Sequence, residues 1–447
     1  MNRRGCFILG FIGLLFGMFS IGMMQLILAT AMPFIVGEIG GSALYDWVFS
    51  SYMLASIVTI PLFSKFADIY GKRKFFILGM CFFALGSLCG GLATSMPHFI
   101  GARVIQGVGA GIISPVSMAM VSDMFPAEQR GKMIGLFGLV QLLSNLLSPP
   151  LGSFITRELG WSWIFFLNLG MIAFSMLLVL LGKTVQENKS SMKLKEIDIL
   201  GGLLFGGFCL LAVTLANAFS HQGRFGLLES ALLPALLFTG AMLVINERKQ
   251  KNPIIKMEFL KTKIIRRSLI SAILSGAIMY GLAALLPLCG VMLSRQGFPL
   301  DESKTLLIFM VSLTSGLLGG SRLSKLQLGQ VPRYLWLLLS VSSVFLLYSL
   351  YTVKLVPFCL CLILMGLCAG GIMATFLINS QNAVESADRT VLSGLVQLGR
   401  YFGASIGVTL LIGMLPEVGL TSGVGEFTGS FGLLVILCLA GVLNELL

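Results

Sequence analysis

Ser64-Lys65-Phe66-Ala67-Asp68-Ile69-Tyr70-Gly71-Lys72-Arg73-Lys74 is the stretch on which the fold turns, because it sets a dense run of charge between two long apolar segments. A helix crossing hydrocarbon cannot carry such a run, so it must sit at a membrane face with an apolar helix entering the bilayer on either side. The first half of the chain has almost no other charge cluster, which makes this loop a fixed point of topology.

Composition leads to the same place. The chain is 56% hydrophobic and 11% charged, with a mean hydropathy of +0.94, whereas soluble domains carry roughly 25% charged residues. Its 53 glycines in 447 residues suit membrane helices, which approach closely through small side chains. A net charge of +12 would suit nucleic acid if it were gathered on a soluble domain. The basic residues are instead dispersed among apolar segments, so they orient the protein in a lipid bilayer and no nucleic-acid partner is expected. The nine cysteines lie mostly inside apolar runs, and His98 and His221 fall in short connections. No disulfide framework, metal centre or cofactor is expected from that pattern.

A window of about 20 residues, the length that crosses hydrocarbon, picks out fourteen apolar segments. Six run near 7–31, 47–64, 75–93, 98–121, 133–156 and 163–182. Two more, near 199–219 and 227–245, follow the polar stretch Lys183 to Asp198 and precede the basic connection Asn246 to Arg267. The last six lie near 268–293, 304–321, 334–352, 356–378, 390–415 and 428–446. Arg3, Arg4 and Ala29-Thr30-Ala31 have the look of a cleavable signal, but the apolar run exceeds the usual core of about 7–15 residues and reads as a retained first helix. With the amino terminus inside, roughly 24 Lys or Arg fall in cytoplasmic connections and roughly 5 outside, which predicts both termini in the cytoplasm.

An internal repeat relates the outer sixes. Gln106-Gly107-Val108-Gly109-Ala110-Gly111 in the fourth segment echoes Met365-Gly366-Leu367-Cys368-Ala369-Gly370 in the twelfth. At the same offset Ala127-Glu128-Gln129-Arg130 corresponds to Ser386-Ala387-Asp388-Arg389, and Gly135 to Gly394. Parallel repeats of six helices about an axis along the membrane normal are one way transporters are built. The expected domains are therefore a six-helix bundle over 1–182, a linker with an inserted hairpin over 183–267, and a second bundle over 268–447.

The loop Asp68-Ile69-Tyr70-Gly71-Lys72-Arg73 resembles the signature between helices two and three of the major facilitator superfamily. Fourteen segments with a central extra pair resemble its fourteen-helix drug:proton antiporter branch. Ala29-Thr30-Ala31-Met32-Pro33, Trp47 with Tyr52, the Arg103, Gln106, Gly107, Gly109, Gly111 series, Phe125-Pro126-Ala127-Glu128-Gln129-Arg130-Gly131, Trp163-Ile164-Phe165 with Asn168, and Gly394 to Gly407 all match that branch. The resemblance implies an all-helical facilitator fold working by alternating access on a small-molecule solute, with protons as a candidate coupling ion. It also implies an inner or plasma membrane location and a monomer. Asp68, Gly71, Lys72, Arg73, Glu128 and Arg130 would then belong to a gate, and the fourth-helix Arg103 to proton transfer.

Each of these residues has a plainer reading. The Asp68 loop is also what a positive-inside connection with a helix-capping acid would look like. Arg103 is harder to dismiss, since a guanidinium within a membrane helix costs about 2.5–3.5 kcal/mol and faces a cavity or a partner. Arg400 sits where it can snorkel from a helix end. Gln25, Gln141, Asn145 and Gln397 are the other polar candidates to line a solute cavity with these two arginines.

Departures from the branch bear on mechanism. Met24, beside Gln25, stands where the resemblance places a first-helix Asp. Leu142, Ser148 and Ser153 replace glycines of the fifth-helix motif, and Ser162 replaces an Arg between Trp161 and Trp163. All 19 acids fall in connections or near segment ends, Asp46 and Glu229 being the nearest to a core. A buried carboxylate is the usual means of coupling proton entry to solute release, so Asp46 or the Asp68 network would have to serve. The expected function is export of lipophilic or amphipathic small molecules. Export of an anionic metabolite or lipid-like compound and a non-transporting membrane scaffold stand as alternatives. An enzyme is not expected, because no nucleophile–base pair, metalloprotease helix or nucleotide-binding loop is present.

Overall fold

A computed structural model describes residues 3–446 apart from 126, 183–197, 223–226, 251–252, 256, 324–329, 353, 385–388 and 416–423. The helices are α1 (Arg3–Ile39), α2 (Tyr45–Tyr70), α3 (Lys72–Gly91), α4 (Met96–Met124), α5 (Ala127–Glu158), α6 (Ser162–Leu181), α7 (Ile199–Gln222) and α8 (Leu227–Lys249). They continue with the short α9 (Met257–Lys261), then α10 (Lys263–Arg295), α11 (Glu302–Leu323), α12 (Val331–Tyr351), α13 (Leu355–Asn382), α14 (Arg389–Gly413) and α15 (Thr428–Leu446). The fourteen long helices coincide with the fourteen apolar segments, and the fold is all-helical as expected.

Thirteen of the described helices are long and apolar enough to cross a membrane, making this a multi-pass membrane protein. The long helix missing from those thirteen is α5. Its Gln141, Ser144, Asn145 and Ser148 recur at i, i+3, i+4 and i+7, which gathers them on one helix face. That stripe lowers the apolarity of a segment otherwise dominated by leucine. Pro33, Pro61, Pro115, Pro149, Pro150, Pro234 and Pro287 all lie inside continuous helices.

The chain forms two compact units. One holds Met1–Gly41, Ser51–Gly206 and Lys249–Ile254; the other holds Ser42–Ser50, Gly207–Arg248 and Ile255–Leu447. In the first, α1 packs on α5 and α6, and α3 packs on α4 and α6. In the second, α10 packs on α14 and α15, and α12 packs on α13 and α15. The pairing scheme of α1–α6 is thus repeated by α10–α15, which is the physical form of the sequence repeat. Glycine sets the separation at these contacts. A β-carbon on Gly109 would fall 2.6 Å from the Phe83 nitrogen, and one on Gly370 would strike the Leu313 carbonyl.

The glycine-to-serine changes on α5 do not keep α1 away. Ser148 Oγ donates to the Met23 carbonyl at 3.1 Å, and a β-carbon on Gly152 would lie 2.8 Å from the Ile27 carbonyl oxygen. The hydroxyl fits the gap, its one proton shared between the Ser144 carbonyl of its own helix at 2.5 Å and the facing Met23 carbonyl.

Candidate functional site: a bonded helix corner and a buried arginine network

The connection between α2 and α3 is a single residue. Gly71 donates its N–H to the Ala67 carbonyl at 3.0 Å, closing α2, and then turns with a φ of +112° before α3 begins. That conformation disfavours any side chain with a β-carbon, so the glycine is a backbone requirement. The tight turn presents Lys72 towards α4, where its Nζ lies 2.7 Å from Asp123 Oδ2 and 3.5 Å from Asp68 Oδ1. Lys72 is therefore shared by two carboxylates, and the nearer was not among the sequence candidates. Its only signal is an acid three residues before Pro126 facing a basic loop.

Arg73 takes the other direction. Its Nη2 donates to the Val179 carbonyl at 3.0 Å and the Leu180 carbonyl at 2.7 Å. These are final-turn carbonyls of α6, whose partial negative charge favours a cation. The loop thus ties α2, α4 and α6 to the start of α3. Glu128 and Arg130 are on the first turn of α5, but their side chains lie outside the described ones.

Arg103 is 1% exposed and is the centre of a second set of bonds in the same unit. Its guanidinium carbon sits 4.2 Å from the centroid of the Tyr52 ring, and Nη1 donates to Gln106 Oε1 at 2.6 Å. Gln106 Nε2 donates to Ser87 Oγ at 2.9 Å, Asn168 Nδ2 donates to the same oxygen at 3.0 Å, and Ser20 Oγ donates to Asn168 Oδ1 at 2.5 Å. Ser87 itself donates to the Phe83 carbonyl at 2.9 Å. A hydroxyl has one proton and two lone pairs, so Ser87 is saturated, and this fixes which way both amides point. Ring face and charge-assisted bond together offset the cost of burying the guanidinium. Ser87 and Ser20 were invisible to sequence reasoning; Asn168 and Gln106 were seen only as parts of a resemblance.

The remaining candidates of this unit gather on α1 and α5. Gln141 Nε2 donates to Asn145 Oδ1 at 3.1 Å. A β-carbon on Gly22 would lie 2.8 Å from Gln141 Nε2, so the amide rests against the α1 backbone. Gln25 is buried at 6%, and Met24, at 1%, puts a thioether in the packed core.

In the second unit Arg400 Nη2 donates to Gln397 Oε1, while its buried Nε has no hydrogen-bond partner among the described residues. Asp46, in the first turn of α2, is 1% exposed and accepts from Asn217 Nδ2 on α7 at 2.8 Å. Asn217 was not anticipated. In the same unit Ser50 Oγ shares a 2.9 Å bond with Thr409 Oγ1 on α14, and Tyr45 donates to the Ala284 carbonyl of α10 at 3.2 Å. Among the described residues no group of three or more His, Cys, Asp or Glu could hold a metal ion.

A repeated pair of six-helix sets, spanning helices and a charged one-residue turn between α2 and α3 define a membrane protein of the facilitator class. The family model described as Major Facilitator Superfamily matches residues 14–408, and the chain belongs to that family. Multidrug resistance protein 3 of Bacillus subtilis (strain 168) is 34% identical over 280 residues, covering 62% of this chain and 54% of that protein. Multidrug transporter protein MdtP of the same organism is 28% identical over 407 residues, covering 89% and 73%. The chain thus spans about half the length of the first of these relatives and about three quarters of the second. Among solved structures, the peptide transporter POT in complex with sulfate superposes with a TM-score of 0.71 at 14% identity, covering 98% and 93%. The D-xylose-proton symporter does so with 0.64 at 14% identity, covering 98% and 95%.

Proposed function

We propose that this chain is a secondary transporter that exports amphipathic small molecules by alternating access. The observation that carries this reading is the repeated pairing of α1–α6 in α10–α15, since two like units are what a rocking transporter needs. The names of the two Bacillus subtilis relatives, both multidrug proteins, support the solute class. In this reading both termini are cytoplasmic, the location is the plasma membrane and the working form is a monomer organised as 1–182, 183–267 and 268–447. The bonds of Lys72 and Arg73, with Glu128 and Arg130, would hold the cytoplasmic side closed until solute release breaks them.

Coupling does not run through the first-helix position of the antiporter branch, because Met24 stands there and a thioether cannot carry a proton. Asp46 is the better candidate: it is a buried carboxylate, the kind of group that can couple proton entry to solute release, and it accepts a hydrogen bond from the Asn217 amide of α7. The Asp68–Lys72–Asp123 set is the other route. The experiment is solute transport in proteoliposomes with a pH gradient and a membrane potential imposed separately. Transport driven by the pH gradient and abolished by Asp46→Asn is the expected result. Gradient-driven transport that survives Asp46→Asn and Asp68→Asn alike would overturn this coupling.

A second reading, export of an anionic solute, is favoured by one observation: the Arg400 Nε has no hydrogen-bond partner among the described residues. Loss of anion transport on substitution of Arg400, with neutral amphipaths still carried, would select it.

A further inference from the structure

The basic corner where α8, α9 and α10 meet in the second unit is used neither by the gate nor by the buried networks. Glu247 at the end of α8 is 3% exposed, and its Oε2 accepts from the Ile255 N–H at 3.0 Å, which holds the turn into α9. Phe259 is 6% exposed and seats α9 in the unit. Around this fixed frame Arg248, Lys261, Lys263 and Arg266 all point outwards, against one exposed acid, Glu258. Two apolar side chains lie among them unburied, Leu260 at 36% and Ile264 at 52%.

Depth decides what such a corner meets. The span that opens with Lys263 runs 33 residues to Arg295, about 50 Å at 1.5 Å per residue. The hydrocarbon core is about 30 Å thick and the bilayer with headgroups about 40–45 Å. Centred on the hydrocarbon, the helix runs about 10 Å past it at each end, so the first turn of α10 lies at headgroup level, with the lysines at the phosphates and Ile264 beside them.

We propose that this corner is a binding site for anionic phospholipid headgroups, with Lys261, Lys263 and Arg266 pairing the phosphate and Leu260 and Ile264 resting against the acyl chains. Basic clusters beside a membrane helix attract anionic lipid, and interleaved apolar side chains add contact with the acyl region. The exposed leucine and isoleucine are what select a lipid over a free anion, because a soluble phosphate makes no use of them.

The test is native mass spectrometry of the purified full-length chain titrated with phosphatidylglycerol and with phosphatidylcholine of the same acyl chains. The expected result is preferential retention of phosphatidylglycerol, falling about fivefold per cation removed in the series Lys263→Gln, Lys261→Gln/Lys263→Gln and Lys261→Gln/Lys263→Gln/Arg266→Gln. Leu260→Ser/Ile264→Ser should weaken retention of both lipids. Equal retention of the two lipids by the unaltered chain would overturn the proposal. So would a preference unchanged in Lys263→Gln and in the triple variant, or displacement of phosphatidylglycerol by millimolar inorganic phosphate. The single variant keeps the test open should the triple fail to fold.

Discussion

Helices α4 and α13 are the same element built twice, and they differ at one place that matters. Gln106 of α4 corresponds to Met365 of α13 in the repeat, and three residues earlier Arg103 corresponds to Leu362. All four are essentially inaccessible. Both helices pack against their partners through the two glycines they share, Gly107 with Gly366 and Gly111 with Gly370, while Cys368 stands where α4 has Gly109. The second half therefore fills with leucine and methionine the position where the first half places a guanidinium and an amide. The architecture does not need the charge, so Arg103 is retained in α4 for something other than packing.

That comparison yields its largest test at Gln106. Gln106→Met removes the acceptor of the Arg103 bond and leaves a buried cation with one fewer partner, which should destabilise the unit by about 1.5–3 kcal/mol. Thermal unfolding in detergent would show it as a large fall in Tm. Installing both second-half residues, Arg103→Leu with Gln106→Met, removes the charge together with its acceptor. Stability should then return to within about 1 kcal/mol of the starting protein while solute transport is lost. A double variant as unstable as Gln106→Met alone would mean that the network holds the fold, and the equivalence of the two helices would break.

A smaller effect is expected one bond further out. Ser87→Ala leaves the buried Gln106 and Asn168 amides without their shared acceptor, at a cost of about 1–3 kcal/mol. Ser87→Thr keeps the hydroxyl and should recover part of that loss if the added methyl is accommodated. A neutral Ser87→Ala, read by the same unfolding measurement, would show that α3 and α6 do not depend on this junction.

How far the sequence carried these conclusions depends on the kind of interaction. The fourteen helices were legible because each is a long apolar run, and bilayer thickness leaves little freedom in reading one. Their ends were less so: α1 extends over Arg3–Ile39 beyond its apolar stretch of 7–31, since a helix continues past hydrocarbon wherever the next turns still pack. Arg103 was legible as a costly residue. Its partners were not, because a lone Ser87 or Ser20 in an apolar helix carries no periodic signal, and the bonds that define them span 81 and 148 residues of sequence. Asp123 and Asn217 escaped for the same reason: their meaning is a contact with a distant helix.

The smallest effect on stability is expected at Arg400, and there the comparison sharpens into function. Arg400 repeats the chemistry of Arg103, an arginine three residues from a glutamine it bonds, but Arg400 as a residue is only partly buried and its Nε has no hydrogen-bond partner among the described residues. Little is lost when it goes: Arg400→Leu should shift stability by about 0.5 kcal/mol. A spare N–H in a weakly screened position is instead worth most to a ligand. A charge-assisted bond contributes about 1.5–3 kcal/mol, so an anionic solute should bind at least tenfold more weakly to Arg400→Leu, with neutral amphipaths unaffected. Isothermal titration in detergent, with one anionic and one neutral solute of similar size, measures both arms. A variant that loses stability as Gln106→Met does, with solute binding unchanged, would place Arg400 beside Arg103 as a structural cation and erase the distinction between the two.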